Sequence, residues 1–233
     1  SGTDIDEVIF FFFFSAGLKQ GPARQAMRQA GLPDSTGATT INKICGSGMK
    51  AVMQAADAIQ AGSAQIVVAG GMESMSNAPY LLDKARAGFR MGHGKVTDHM
   101  FQEGLEDAET GLSMGVLAQD MADKKNYTRE QQDEYAIRSL NRAVEAIQNG
   151  YFKNEIVPVT VHSRKGDVIV DQDEQPLNAK VDKISSLRPA FKKDGTITAA
   201  NASSISDGAS ALVITSDVVA AERGFLPLAY VVA

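Results

Sequence analysis

Cys45 is the single cysteine of a 233-residue chain, set in the run Ile41-Asn42-Lys43-Ile44-Cys45-Gly46-Ser47-Gly48-Met49. The residues from Ala38 to Ile44 are rich in β-branched types and predict a strand, while the Ala/Met/Ile pattern of Ser47 to Ala61 predicts a packed helix. The thiol is therefore expected in a strand-to-helix turn. Unpaired N–H groups and the positive end of the dipole at a helix N-terminus favour a thiolate, and the same N–H groups can bind a developing oxyanion. Glycines at 46 and 48 let the backbone turn sharply and leave room for a substrate beside the sulfur. A lone cysteine is more commonly a small buried hydrophobe, and these residues by themselves leave both readings open.

The segment Ile41 through Ile59 resembles the nucleophile signature of the thiolases. Residues Ala69 to Tyr80 (AGGMESMSNAPY), Tyr151 to Val159 (YFKNEIVPV) and Thr198 to Ala209 (TAANASSISDGA) are similar to further stretches of that family. The resemblance extends over nearly the whole chain. It implies an α/β fold of the thiolase-like layered αβαβα kind, incomplete (first strand and helix and the carboxy-terminal half absent), with an inserted loop domain. It also implies an acyltransferase activity: condensation of two acetyl-CoA to acetoacetyl-CoA and CoA, or thiolysis in reverse, through an acyl group carried on Cys45. Coenzyme A would be substrate and product, with no further cofactor.

The family's other functional residues carry over only where the motifs match. Ser203 matches a serine that contacts the pantetheine arm of coenzyme A, with Ala199 and Ile205 beside it; without the resemblance it reads as a turn serine in an Asn/Ser/Asp-rich loop. Leu105 and Met114 match positions lining the acyl and pantetheine pocket, although apolar residues at such spacing are also ordinary core. Ser113 stands where many short-chain members have a histidine before Met-Gly, which changes one polar contact near the thioester. Gln175-Pro176-Leu177-Asn178 stands where an aromatic and an arginine often meet the adenine, so the coenzyme is expected to be held differently. Arg164 and Lys165 are then candidates for the nucleotide phosphates, or simply a solvated hairpin tip. Lys43 and the Gly46-Ser47-Gly48-Met49 run resemble the acetoacetyl-CoA type and favour a short acyl group. The run Arg86 to Gly94 corresponds to the loop through which family dimers pair into tetramers, implying a homo-oligomer (dimer of dimers); by composition it is a flexible surface loop.

Condensation also needs a base to remove a proton from the second acetyl group. In thiolases a Gly-His-Pro-x-Gly histidine and a Cys-x-Gly-Gly cysteine lie in the second half, and neither motif occurs here. His93 and His99 fall in a glycine-rich excursion and His162 ends a strand, so none is read as a replacement. The isolated chain is expected not to complete condensation. Two alternatives are a thiolase-fold ketosynthase-like condensing enzyme and a non-catalytic acyl-CoA-binding or assembly module.

A formal charge of −5 offers no basic face to nucleic acid. One cysteine excludes an internal disulfide framework, which fits a reducing, cytoplasmic setting. Ser1 to Glu7 is polar and acidic, unlike a secretory signal, and no stretch reaches the roughly 20 apolar residues of a membrane-spanning helix. No His/Cys/Asp cluster has metal-ligand spacing, so no metal is expected.

These groups need elements to position them. Gly21-Pro22 opens a helix through Ala30 that Gly31 stops, and Gln65 to Ala69 reads as a short buried strand; strand, helix, strand argues for a parallel layer. Five phenylalanines from Phe10 to Phe14 cannot alternate between core and water, so they read either as a central strand covered on both faces or as residues foreign to the natural chain. Asp83 to Thr110 lacks periodicity. Thr128-Arg129-Glu130-Gln131 has the form of a capping box ahead of a helical stripe from Tyr135 to Ile147. Ile156 to Val161 and Asp167 to Val170 predict a hairpin, Ala211 to Thr215 a strand, Asp217 to Arg223 a helix closed by Gly224, and Leu228 to Val232 a last strand. Composition marks off residues 77–198 from the stretches on either side, and the resemblance implies 1–76 as the thiolase amino-terminal α/β half, 77–198 as an inserted loop domain for coenzyme A binding and tetramer contacts, and 199–233 as the return to the half.

Overall fold

The structure, a computed structural model, describes residues 1–232. They form two compact units, one of residues 1–111 with 205–232 and one of residues 112–204. The partition by composition at 77 and 198 follows residue type, whereas these units follow contact.

The first unit is built on β1 (Glu7–Phe11), α1 (Pro22–Gln29), β2 (Gly37–Ile41), α2 (Ser47–Gln60) and β3 (Ile66–Ser74). It adds two short strands, β4 (Tyr80–Leu81) and β5 (Thr97–Asp98), which pair with each other. The second unit contains α3 (Met114–Lys125), α4 (Arg129–Gln148), β6 (Val159–Val161), β7 (Val168–Val170) and α5 (Glu174–Asn178). The chain then returns to the first unit as β8 (Asp207–Thr215) and α6 (Asp217–Arg223).

The main sheet has the order β2-β1-β3-β8. β1 is parallel to β2 and β3, as the alternation of strand and helix predicts, and β8 closes the sheet antiparallel to β3. The start of α1 follows from local chemistry, Pro22 sitting in its first turn after a left-handed Gly21 (φ 55°), and Ala51 and Ala55 let α2 lie close on the sheet.

The first two phenylalanines of the run, Phe10 and Phe11, end the central strand β1, which is covered on both faces. Phe10 and Phe12 pack with Val8, Ala23 and Met27 on the α1 side, whereas Ile9 packs with Ala51, Ala55, Val67 and Ala69 on the α2 side. Phe11 opposes Gly71 in register, and a Cβ added at Gly71 would fall 1.9 Å from the Phe11 ring. Gly71 is thus the space that a phenylalanine at 11 requires. The strand stops at Phe11, after which Glu73 Oε2 accepts the N–H groups of Phe13 (3.1 Å) and Phe14 (3.2 Å).

In the second unit the capping box at Thr128 and Gln131 is complete, and α4 follows it for 20 residues. The β6–β7 hairpin has the expected pairing. Two differences from the sequence reading are that β3 continues to Ser74 through both glycines, because β8 pairs along its whole length, and that Leu228 to Val232 is not a strand. Leu228 and Val232 are 98% and 91% exposed, so the apolar residues there gain no burial that would offset ordering the backbone.

Candidate active-site turn and coenzyme-binding residues

β2 ends at Ile41 and α2 begins at Ser47, so the five residues between them form the turn that carries Cys45. Cys45 is a free, exposed thiol, which answers the question left open by its residue type: it is not a core hydrophobe. Gly46 is the N-cap of α2 without a side-chain cap, and no acidic residue lies in the first turn. No carboxylate of that turn therefore competes for the positive end of the helix.

The turn is hydrogen-bonded on both flanks. Asn42 Oδ1 accepts the Ile44 N–H at 2.9 Å. Ser47, fully buried, accepts the Lys43 N–H at 2.6 Å and donates its hydroxyl to the Ile44 carbonyl at 2.6 Å. The N–H groups of Gly46 and Ser47 turn back to the carbonyls of Lys43 and Ile44, each at 3.1 Å. Ile44 is left-handed, with φ 53°, although its side chain is 55% exposed. Met49 and Met53 are exposed on α2.

The remaining candidate residues divide between the units. In the first, Leu105 ends a π-helical turn (Phe101–Leu105) and is partly buried, and Ile205 is exposed just before β8. In the second, Ser113 is the N-cap of α3, its Oγ accepting the Val116 N–H at 3.3 Å, so its hydroxyl is occupied in part by capping. Met114, exposed, follows it as the first residue of α3. Ser203 and Ala199 are exposed in the loop after Thr198.

That loop is held by groups the sequence reading did not single out. Gln119, fully buried, accepts the N–H groups of Thr196 (2.8 Å) and Ile197 (3.0 Å). Asn201 donates to Asp133 Oδ1 (2.9 Å) and accepts the Thr198 N–H (2.7 Å). A cavity of about 410 Å³ opens beside it, lined by Leu140, Ile184, Leu187 and Ala199 with Lys180 and Lys183. A cavity of about 520 Å³ elsewhere in the unit is lined by Tyr127, Tyr135, Arg138 and Asn201 among others. Lys180 and Lys183 could not be found from motif matching, because only the 3-10 turn Val181–Ser186 places them against α4. Arg164 and Lys165 lie in the connection between β6 and β7, and neither residue lines these two cavities.

Among the described residues, no three His, Cys, Asp or Glu side chains gather as they would to hold a metal ion, and no helix is long and apolar enough to cross a membrane. His99 is buried, edge-on to Phe14. Its Nδ1 approaches Glu103 at 3.5 Å without hydrogen-bonding geometry. His162 is exposed beside Asp167 at 2.9 Å.

Known proteins resemble this chain in sequence and fold. The family described as "Thiolase, N-terminal domain" matches residues 1–218. An acetyl-CoA acetyltransferase of Escherichia coli (strain K12) is 51% identical over 97% of the chain, and one of Cupriavidus necator is 50% identical over 97%. Each alignment takes in 58% of the relative, so the chain spans a little over half the length of the curated proteins it matches. Among solved structures, the acetyl-CoA acetyltransferase of Bacillus anthracis superposes with a TM-score of 0.92 at 41% identity, over 98% of this chain and 58% of that one. A thiolase from Ascaris suum in complex with coenzyme A gives 0.88 at 41% identity, over 97% and 58%.

Proposed function

The chain belongs to the thiolase family, and from that premise we propose that it carries the acyl-accepting part of an acetyl-CoA C-acetyltransferase, with Cys45 as the nucleophile. The observation that carries this reading is an exposed thiol in a tightly bonded turn at the N-terminus of a 14-residue helix. The Cys45 thiolate attacks the thioester carbonyl carbon of acetyl-CoA, the bond from that carbon to the coenzyme sulfur breaks, and the coenzyme leaves as a thiol after taking a proton. The acetyl group then rests on Cys45 Sγ. In the second step a base removes a proton from the methyl group of another acetyl-CoA, the resulting carbanion attacks the acetyl-cysteine carbonyl, and Cys45 departs as thiolate to leave acetoacetyl-CoA. The Cys45 N–H is proposed as one oxyanion donor in both steps.

Coenzyme A is both substrate and product in this reading. Ser203, Ala199, Ser113, Met114, Leu105 and Ile205 are the residues proposed for its recognition. The chemistry of the 410 Å³ cavity suits the nucleotide end, with apolar Leu140, Ile184 and Leu187 for a flat base and Lys180 and Lys183 for phosphate. The protein is further proposed to act in the cytoplasm as a dimer of dimers. The base of the second step is not assigned within these 233 residues, and the chain by itself is proposed to stop at the acetyl-cysteine.

Intact mass before and after incubation with acetyl-CoA tests this, with Cys45→Ala as control. One added acetyl group that is absent from the variant supports the acyl-acceptor role. A folded wild-type protein without the adduct overturns it and leaves binding or assembly as the function. Acetoacetyl-CoA made by the 233-residue chain alone would overturn the assignment of the base elsewhere.

A further inference from the structure

We propose that Asn42 and Ser47 are positioning residues, a two-sided clamp that holds Ile44 in its left-handed conformation and thereby aims Cys45; the inference rests on reading Cys45 as the acyl acceptor. Ile44 is a β-branched residue at φ 53°, a backbone region that such side chains avoid. Side-chain packing does not impose it, since the isoleucine is 55% exposed. Hydrogen bonds do. Asn42 Oδ1 takes the N–H of Ile44 at 2.9 Å, while Ser47 gives its carbonyl two donors, the hydroxyl at 2.6 Å and the N–H at 3.1 Å.

Each half of the clamp is anchored elsewhere in the fold. Ser47 is fully buried in the first turn of α2, and its hydroxyl faces back across the turn to Lys43 and Ile44 rather than capping its own helix. Asn42 donates its side-chain amide to the Phe13 carbonyl at 3.5 Å, a long bond toward the continuation of the central strand. The residue immediately before the nucleophile is thus restrained from the strand side and the helix side at once. Strain of this kind persists only where the surroundings over-determine it, and it gathers at sites whose geometry matters. A free Ile44 would relax to ordinary backbone angles and rotate the following peptide, carrying the Cys45 N–H and Sγ away from their present directions.

The experiment measures Cys45 acetylation in the protein by rapid quench and intact mass across acetyl-CoA concentrations, with melting temperature recorded for each variant. Ser47→Ala is expected to lower the limiting acylation rate roughly tenfold or more, while half-saturation stays within about twofold. Ser47→Thr, which keeps the hydroxyl, restores most of the rate. Ile44→Gly placed in the Ser47→Ala background also restores it, because glycine enters the left-handed region without a steric cost; a merely structural role for Ser47 would not be repaired this way. If Ser47→Ala fails to fold, the exposed Asn42→Ala carries the test, with a slower rate expected at an unchanged melting temperature. Variants that acylate at the wild-type rate while the wild type is acylated overturn the clamp alone. A wild type that takes no acetyl group overturns the acyl-acceptor reading and the clamp with it.

Discussion

Arg129 Nε donates to Asp133 Oδ2 across 2.6 Å, one turn further along α4, and this pair ties two separate loops to the same helix. Arg129 also donates to the carbonyls of Ile184 (2.9 Å) and Ser185 (3.3 Å), while Asp133 accepts from Asn201 (2.9 Å). Those segments carry Ile184 and Ala199, which line the 410 Å³ cavity proposed for the coenzyme. Asp133 is buried, so Asp133→Ala leaves the guanidinium half-buried and unpaired. The expected loss is about 2–4 kcal/mol in urea unfolding, accompanied by weaker coenzyme A binding by calorimetry; Asp133→Asn, which keeps one of the two acceptor oxygens, should cost less. Unchanged stability and affinity in Asp133→Ala would refute the anchoring role.

Gly71→Ala should destabilise the first unit, because the new Cβ would meet the Phe11 ring at 1.9 Å. Overpacking of this kind costs roughly 1–3 kcal/mol. Adding Phe11→Val removes the ring and should make the alanine nearly neutral, so a double-mutant cycle in urea is expected to show strong coupling. Additive losses would mean that the strands shift to accept the methyl group.

Lys180→Ala with Lys183→Ala should raise the half-saturating acetyl-CoA concentration by roughly 3- to 10-fold, the range of one or two exposed ion pairs. Acetyl-pantetheine lacks the nucleotide, and its acylation of Cys45 should be unaffected. Equal effects on both thioesters would place the lysines outside nucleotide recognition. Arg164→Ala with Lys165→Ala is the matching comparison at the hairpin tip, and it is expected to leave both thioesters unchanged.

Asp123 accepts from Lys192 at 2.6 Å and from Gln119 at 2.8 Å. The Lys192 bond, followed by that from Gln119, holds the Asp123 carboxyl below its usual range, and the bond to Asp123 holds the Lys192 ammonium above its own. A depressed carboxylate stabilises the fold above its unfolded-state pKa, and that contribution is lost as pH falls through the folded value. A raised ammonium stabilises below its unfolded-state pKa and is lost as pH rises through the folded value. Lys192→Met should therefore flatten both the acidic and the alkaline arm of the urea midpoint against pH, with little change in slope near neutrality. A variant whose arms match the wild type would show that solvent screens the pair.

The amino-acid sequence was sufficient for the family, the parallel strand-helix-strand core and the place of Cys45 between β2 and α2. It also marked both ends of α1, α4 and α6. These are local matters: a glycine-proline start, a capping box and β-branched runs write their geometry into neighbouring residues. What the sequence could not express was long-range pairing. The antiparallel return of β8 along the full length of β3, the Gly71 space beneath Phe11 and the hold of Gln119 on Thr196 and Ile197 join residues 60 or more positions apart. The left-handed Ile44 is local in sequence yet equally hidden, because isoleucine disfavours that conformation and only the hydrogen bonds from Asn42 and the buried Ser47 impose it. Chain chemistry marked Cys45 as the candidate nucleophile; tertiary packing buries Ser47, two residues further on, and leaves the Cys45 thiol in solvent.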